Sequence, residues 1–162
     1  MKNYLMFILL VLGVLTACST LTPEERQALR AAKMQRVENA LNSKHYKIDI
    51  QVMHPIRGIP KNVSSDWSLE VKGDTLVSYL PYVGRAYNVP YGGGKGMNFV
   101  APISRYEQVQ GKKGEYIITF YVDNGEDILN FLLKVCDNGQ TEIDVQARER
   151  DYISYGGELV TE

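Results

Sequence analysis

The stretch from Tyr79 to Phe99, "YLPYVGRAYNVPYGGGKGMNF", holds the residue types of this sequence that are best suited to binding a ligand. Its Gly-Gly-Gly-Lys-Gly run suggests a phosphate-binding loop. A Walker loop requires G-x-x-x-x-G-K-[ST] and then a helix, because its amides and lysine hold phosphate and its hydroxyl holds magnesium. Here Lys95 is followed by Gly96, and the strand-like "MNFVAPI" comes next. The sequence therefore argues against a nucleotide site.

We call Tyr79–Phe99 the tyrosine segment. Tyrosine side chains are amphipathic, have few rotatable bonds and suit contact surfaces. Two interpretations stay open: a packed connection between two strands, and a surface that contacts a ligand or a partner. The candidate contact residues are Tyr82, Arg85, Tyr87, Tyr91 and Lys95.

Arg85 is the cation placed among these tyrosines. Its guanidinium could stack on tyrosine rings and pair with an acidic residue, which would tether the segment. It could instead stay free for an anionic group or for sugar hydroxyls. We favour the tether, because a segment so rich in glycine needs one.

Other residues that could do chemistry are few. The two histidines, His45 and His54, do not lie in metal-binding spacings, and a zinc site needs more ligands than the chain offers. The run Asp123–Asp127 has the acidic spacing of a calcium loop only superficially, and a turn at Asn124-Gly125 explains it better. We therefore predict no catalytic residues, no metal and no cofactor.

The first residues predict export and lipid attachment. Lys2 precedes an apolar run that is shorter than the roughly 20 residues needed to span a membrane, and Leu15-Thr16-Ala17-Cys18 follows. This ending fits a bacterial lipobox, so we expect cleavage before Cys18 and acylation of its thiol. Two or more acyl chains give stable anchoring. Ser19, in place of an aspartate, favours the outer membrane, while the direction in which the domain faces is left open.

Charge and length set further limits. Without residues 1–17, about 145 residues remain, which is the size of one domain. Removing Lys2 from the 18 basic residues leaves 17, against 19 acidic residues, so there is no basic excess for nucleic acid. Cys136 is then the remaining cysteine apart from Cys18, which excludes an intrachain disulfide in the mature domain. We expect Cys136 to be a half-buried structural thiol.

The chain begins as a helix and continues as strands. Thr22, Pro23 and Glu25 form a capping-box start, and Met34, Val37 and Leu41 recur at helical spacing. We predict a signal peptide at 1–17, a lipidated tether at 18–23, a helix at 24–44 and an antiparallel β domain at 45–162. The helix lays a narrow apolar face on the domain, or it serves as an exposed partner-binding helix.

Beyond His45 the hydrophobic period changes to two, and Gly-Asp and Asn-Gly turns separate the strand-like runs. The predicted fold is mainly β (α+β): an N-terminal helix packed on a seven- or eight-stranded antiparallel meander that forms a sandwich or a partial barrel. The run "RERD", Arg148–Asp151, alternates in charge and is interpreted as a solvated strand.

The tyrosine segment also resembles a known family. Residues Ser78–Gly93, "SYLPYVGRAYNVPYGG", are similar to the pattern "SYLPYFGRAYSAPYGG" of a Bacteroidetes-type family of uncharacterised lipoproteins, domain of unknown function family 4251. Further similarities are Arg57-Gly58 and "ISYGGEL" at Ile153–Leu159. The resemblance covers nearly all of the mature chain and implies an envelope lipoprotein, with no activity and no catalytic residues to carry over.

These observations together favour a non-catalytic, lipid-anchored protein of the cell envelope. We expect it to bind a small ligand or glycan in a concave sheet face or under the tyrosine segment. The alternative is a protein-interaction component of an envelope assembly, and an enzyme is the least favoured class. The sequence does not indicate an oligomeric state.

Overall fold

The computed structural model describes residues 22–64, 66–88, 94, 96–111 and 114–161. Within these ranges the chain forms one helix and nine strands. They are α1 (Pro23–Ser43), β1 (His45–Pro55), β2 (Lys61–Asn62), β3 (Ser68–Lys72), β4 (Thr75–Tyr79), β5 (Asn98–Gln110), β6 (Tyr116–Asp123), β7 (Ile128–Val135), β8 (Gln140–Ala147) and β9 (Ile153–Val160).

The chain divides into two units, Met1–Ala31 and Ala32–Glu162. The described part of the first unit is the start of α1, where the predicted capping box is present. The Thr22 amide donates to Glu25 Oε2 at 2.8 Å, and the Glu25 amide donates to the Thr22 hydroxyl at 3.2 Å. No helix among the described residues has the length and apolar character needed to cross a membrane.

The second unit contains the end of α1, which packs on the sheet. Val37 and Leu41 are fully buried there, as the helical spacing predicted. Met34, assigned to the same stripe, is 45% exposed, so that part of the prediction was wrong. Lys33 Nζ lies 2.7 Å from Glu158 Oε1 on β9 and adds a polar contact beside the buried pair.

The strands form a closed antiparallel barrel. The sheet order is β2-β1-β3-β4-β5-β6-β7-β8-β9, and β1 also pairs with β9. Eight strands, β1 and β3–β9, therefore close on themselves, while the short β2 pairs with the end of β1 outside the ring. The prediction of a mainly β, antiparallel meander of seven or eight strands is confirmed for the eight barrel strands, with β2 in addition. The predicted sandwich is wrong, and the barrel is complete where a partial one was the alternative. Closure removes both sheet edges, which an open meander would expose.

The closing contact depends on a bulge and a glycine. The register between β1 and β9 shifts between Ile50 and Val52, which bends β1 around the barrel. At Gly157 on β9, an added Cβ would lie 2.3 Å from the Asp49 carbonyl oxygen. No side chain fits at that distance, so glycine is what lets the first and last strands approach.

Inward-facing side chains of alternating residues fill the barrel. Phe120 on β6 stacks on Phe131 on β7, with ring centroids 5.1 Å apart, and Tyr106 on β5 lies 6.1 Å from Phe120 on its other side. Tyr155 on β9 is fully buried. This packed core fixes the strands that carry the connections at both ends of the barrel.

The predicted turns are present between the later strands. Gly125 and Gly139 have φ values of 83° and 84°, in the region that favours glycine. The amide of Gly125 donates to Asp123 Oδ1 at 2.8 Å, which stabilises the β6–β7 turn. Cys136, expected to be half-buried, is exposed, because it lies just past the end of β7 where the chain turns toward β8.

Candidate functional site

The first part of the tyrosine segment lies against the turn between β8 and β9. Ala86 forms an isolated antiparallel bridge with Arg150. The Tyr87 amide donates to the Glu149 carbonyl at 2.8 Å, and the Asp151 amide donates to the Arg85 carbonyl at 2.9 Å. These backbone bonds give residues 85–87 a fixed position although they belong to no strand.

Asp151 is the side chain that holds this part of the segment. Its Oδ2 accepts the Arg85 amide at 3.1 Å, and its Oδ1 accepts the Tyr87 hydroxyl. The bond from Tyr87 lowers the pKa of Asp151, and the same bond raises the pKa of Tyr87. The carboxylate is therefore held in its charged form by the segment that it tethers.

Two further tyrosines hold the segment to the barrel. The Tyr82 hydroxyl lies 2.9 Å from the Arg85 carbonyl oxygen and 3.2 Å from that of Asp151, and it can donate to either. Burial raises the pKa of Tyr82. The hydroxyl of the buried Tyr155 donates to the Pro81 carbonyl at 2.8 Å. The barrel core is thus connected directly to the start of the segment.

A buried ion cluster lies beneath the turn. The side chains of Arg150 and Asp127 are 7% and 1% exposed, and Arg150 Nε lies 3.5 Å from Asp127 Oδ2. That separation is long for a hydrogen bond, so the attraction is mainly electrostatic. Asp127 Oδ1 accepts the amides of Arg148 and Glu149, each at 3.0 Å. The β6–β7 turn therefore supports the β8–β9 turn, and the β8–β9 turn supports the tyrosine segment.

A pocket of about 260 Å³ opens beside Asp151. It is lined by Ile56, Arg57, Val83, Gly84, Arg85 and Asp151. The first two belong to the connection that follows β1, so the pocket joins three separate parts of the chain. At Gly84 an added Cβ would lie 2.5 Å from the Tyr82 hydroxyl oxygen and 3.3 Å from Asp151 Cβ. A larger residue at this position would therefore have to displace the Tyr82 ring, whose hydroxyl bonds to the Arg85 carbonyl.

Two guanidinium groups give the pocket its charge. Arg57 and Arg85 are both exposed, and within the described ranges neither guanidinium has a hydrogen bond or an ion pair. Both positive charges contribute to the lowered pKa of Asp151, after the larger effects of the Tyr87 hydroxyl and the Arg85 amide. The lining therefore combines two cations, one carboxylate whose oxygens already accept hydrogen bonds, and two aliphatic side chains.

We call this cavity the arginine pocket, and it differs from two larger depressions. A groove of about 600 Å³ between α1 and β1 contains Lys47 and Lys72, which pair with Asp49 at 2.9 Å and Glu70 at 3.0 Å. A groove of about 400 Å³ on the outer face of β7–β9 contains Lys134, which pairs with a glutamate on β8. The lysines in these grooves already have acidic partners, unlike the arginines of the pocket.

One predicted contact residue, Arg85, lines the arginine pocket, and the Tyr82 and Tyr87 hydroxyls bond to the Arg85 carbonyl and to Asp151 beside it. Tyr82, Arg85 and Tyr87 are adjacent as expected, and Tyr87 is 67% exposed. Tyr91, Lys95 and the lipidation candidate Cys18 lie outside the described residues. Among the described residues, the Arg85 guanidinium forms no tether, and the bonds that hold the segment come from the backbone amide and carbonyl of Arg85 and from Asp151. The cation over the Tyr82 ring is Arg150, 5.8 Å from its centroid.

The family model of a domain of unknown function, DUF4251, matches residues 28–159. The chain belongs to the DUF4251 family. The match confirms the resemblance carried by Ser78–Gly93, and it includes every described residue of the arginine pocket.

A solved structure has the same fold as this DUF4251 chain. The crystal structure of a DUF4251 family protein from Bacteroides eggerthii DSM 20697, at 1.95 Å resolution, matches with a TM-score of 0.63 and 15% sequence identity. The match covers 83% of this chain and 91% of that one. No curated protein matches the chain.

Sequence reasoning missed the residues that this DUF4251 domain uses to hold the segment. Arg148–Asp151 was interpreted as a solvated strand, but it forms the β8–β9 turn, and Arg150 within it is buried. Arg57 was noted only for its resemblance to the family pattern. In the part of the chain that the structure describes, no three His, Cys, Asp or Glu side chains group so that they could hold a metal ion. The arrangement is suited to binding through charge and hydrogen bonds.

Proposed function

We propose that this protein is a lipid-anchored component of the cell envelope whose barrel binds a small ligand or glycan, without catalysis, in the arginine pocket. The observation that carries the proposal is a pocket lined by two guanidinium groups that make no hydrogen bond or ion pair with the described residues. Arginine offers five donors in a rigid fork, and such donors recognise anionic groups or sugar hydroxyls.

The size of the pocket favours a small ligand. Pockets for drug-sized ligands have volumes of roughly 300–1,000 Å³. The arginine pocket, at about 260 Å³, is smaller and fits one ring or the end of a longer chain. Its lining is held by Asp151 and by backbone bonds, so little of it needs to be ordered on binding.

Filling the pocket tests the binding proposal. Val83→Trp places a large side chain in the lining, and Val109→Trp makes the same change at an exposed position on the outer face of β5. We expect small sugars and organic acids, added to isotope-labelled protein, to shift the NMR resonances of residues 56–57 and 83–85. Val83→Trp should abolish these shifts and Val109→Trp should preserve them. Ligands that bind both variants equally well would place recognition elsewhere.

The proposed anchor depends on Cys18. The Leu15-Thr16-Ala17-Cys18 motif supports lipidation and, with Ser19, an outer-membrane location. Cys18→Ala should prevent incorporation of radioactive palmitate and leave the protein unlipidated, while Cys136→Ala should be labelled like the wild type. Palmitate on the Cys18→Ala protein would contradict the proposed anchor.

Protein interaction is a second candidate, because exposed apolar side chains lie in the pocket lining and in the connection that contributes to it. Ile56 and Ile59, in the connection after β1, are 57% and 75% exposed, and Val83 is exposed as well. Such side chains are typical of interaction surfaces when they cluster. Crosslinking in intact membranes distinguishes the two functions: one stoichiometric protein partner that is lost on Ile59→Lys would favour this candidate over a small ligand.

A further inference from the structure

We infer that the arginine pocket selects a small sugar-sized ligand that carries an oxyanion, a carboxylate or a phosphate, and binds it through Arg57 and Arg85. This inference rests on the proposed function, because it names the ligand class of the same pocket. Three features of the pocket support this ligand class: the local excess of positive charge, the unused guanidinium donors and the apolar part of the lining.

The balance of charge in the pocket is positive. Arg57 and Arg85 supply two positive charges to the lining, and Asp151 supplies one negative charge. In the neighbouring turns, Arg148 Nε lies 3.2 Å from Glu149 Oε1, and Arg150 pairs with both Glu126 and Asp127, so these five groups carry one negative charge in excess. The positive excess is therefore local to the lining, where the two exposed guanidinium groups attract an anion and repel a cation.

Asp151 does not use up the donors of the two arginines. Its Oδ1 accepts the Tyr87 hydroxyl and its Oδ2 accepts the Arg85 amide, so the carboxylate orders the backbone and forms no ion pair with either guanidinium. Both guanidinium forks keep their donors available. A planar carboxylate or a phosphate is the group that such forks bind most strongly, because two parallel charge-assisted hydrogen bonds form at once.

The rest of the lining is apolar and restricts what carries the oxyanion. Ile56 and Val83 present aliphatic surface to the pocket. A free inorganic anion would leave this surface in water. A sugar ring has an apolar C–H face that can cover it, and a ring of that size agrees with about 260 Å³.

The test compares three probes built on the same sugar ring, on the purified full-length protein in non-ionic detergent. Glucuronate carries a carboxylate, glucose 6-phosphate carries a phosphate, and glucose is neutral. We expect at least one acid to bind about tenfold or more tighter than glucose, and high salt to weaken that acid more than glucose. The preferred acid identifies the oxyanion.

Matched substitutions assign the effect to the two arginines. Arg57→Gln and Arg85→Gln should each weaken the preferred acid by about tenfold and change glucose little, and Arg85→Lys should recover only part of the loss. Arg105→Gln removes the same charge from an exposed site on β5, outside the pocket, and should bind like the wild type. The Arg85 substitutions keep the amide that bonds to Asp151, so unchanged melting temperatures will show that the fold is intact.

Two failures have different meanings. If glucose and the acids shift the pocket resonances with equal affinity, the pocket binds ligands but the oxyanion inference is overturned. If none of the three probes shifts those resonances, the inference is overturned and the proposed binding function loses its site as well.

Discussion

Replacing Asp127 with asparagine should show how far the candidate site depends on a buried charge. Asp127→Asn preserves the size of the side chain and one oxygen for the amides of Arg148 and Glu149. It removes the negative charge 3.5 Å from Arg150 Nε, in surroundings where both side chains are almost fully buried. The arginine then keeps only the more distant carboxylate of Glu126, at 3.7 Å, as an ion-pair partner among the described residues.

The size of the effect follows from that geometry. Breaking a buried ion pair by removing one partner costs about 3–5 kcal/mol. The carboxylate of Glu126 remains, and the lost contact is longer than an ideal one, so we expect a loss of about 2–3 kcal/mol in the free energy of unfolding. For a domain of this size, about 2–4 °C per kcal/mol gives a fall of about 4–12 °C in Tm.

Urea unfolding provides the measurement, because the chain contains one tryptophan as a fluorescent probe. Trp67 stacks on Tyr79 at 4.5 Å between ring centroids, so its emission should report loss of the barrel. Asp66→Asn, an exposed neutralisation, is the matched control and should change stability by no more than about 0.5 kcal/mol. Arg150→Met, alone and combined with Asp127→Asn, completes a double-mutant cycle that measures the coupling free energy between the two side chains.

Two results would refute the reasoning. In the first, Asp127→Asn lowers the free energy of unfolding no more than Asp66→Asn does. In the second, Asp127→Asn lowers it as much in the Arg150→Met background as in the wild type. The second result would show that the amide hydrogen bonds, and not the charge on Arg150, account for the stabilisation.

Three further predictions concern the barrel, its helix and the tether. Gly157→Ala should destabilise the barrel by about 1–3 kcal/mol or prevent folding, because the added methyl group meets a β1 carbonyl at 2.3 Å. The control Gly156→Ala, whose added methyl group would lie 3.8 Å from His54 Nε2, should leave stability in the same urea assay unchanged. Leu41→Ala should lower the free energy of unfolding by about 2–5 kcal/mol, because it leaves a cavity under α1, whereas Met34→Ala should have little effect. Equal decreases in Tm for the two variants would contradict this packing. The pKa of Asp151 is lowered by the Tyr87 hydroxyl that bonds to it, so the charged carboxylate contributes stability above the ordinary aspartate pKa of about 3.9, and this contribution is lost as the pH falls through the lowered folded-state pKa. The difference in Tm between wild type and Asp151→Asn should therefore narrow between pH 7 and pH 2. A difference in Tm that stays constant would argue against the tether.

The features that could be predicted from the sequence are those determined by neighbouring residues. The capping box at Thr22 and Glu25 joins residues three apart, and the turn at Gly125 needs a positive φ that glycine allows. Alternation of apolar residues likewise identified the strands and their inward faces. Closure could not be predicted in this way, because alternation is the same in a sandwich and in a barrel.

The candidate site shows the same limit. Composition identified the tyrosine segment, including Tyr82 and Tyr87, as a contact region. It could not identify the tether, because the bond from Arg85 to Asp151 spans 66 positions in the sequence. The charges around Asp151 alternate as they would in a solvated strand, and burial of Arg150 depends on Asp127, which comes from another turn. Residues that support a site from distant parts of the chain leave no local pattern.

Pairing of the first and last barrel strands has a consequence for chain synthesis. Lys47 pairs with Val160, so the closing contact joins residues at opposite ends of the fold. A nascent or truncated chain that ends before Ile153 contains most of the core but leaves β1 and β8 without the neighbour that each pairs with in the barrel. Open edges of this kind invite pairing between chains, and contacts so distant in sequence form slowly. We therefore expect a chain that ends before Ile153 to form aggregates instead of a smaller soluble domain.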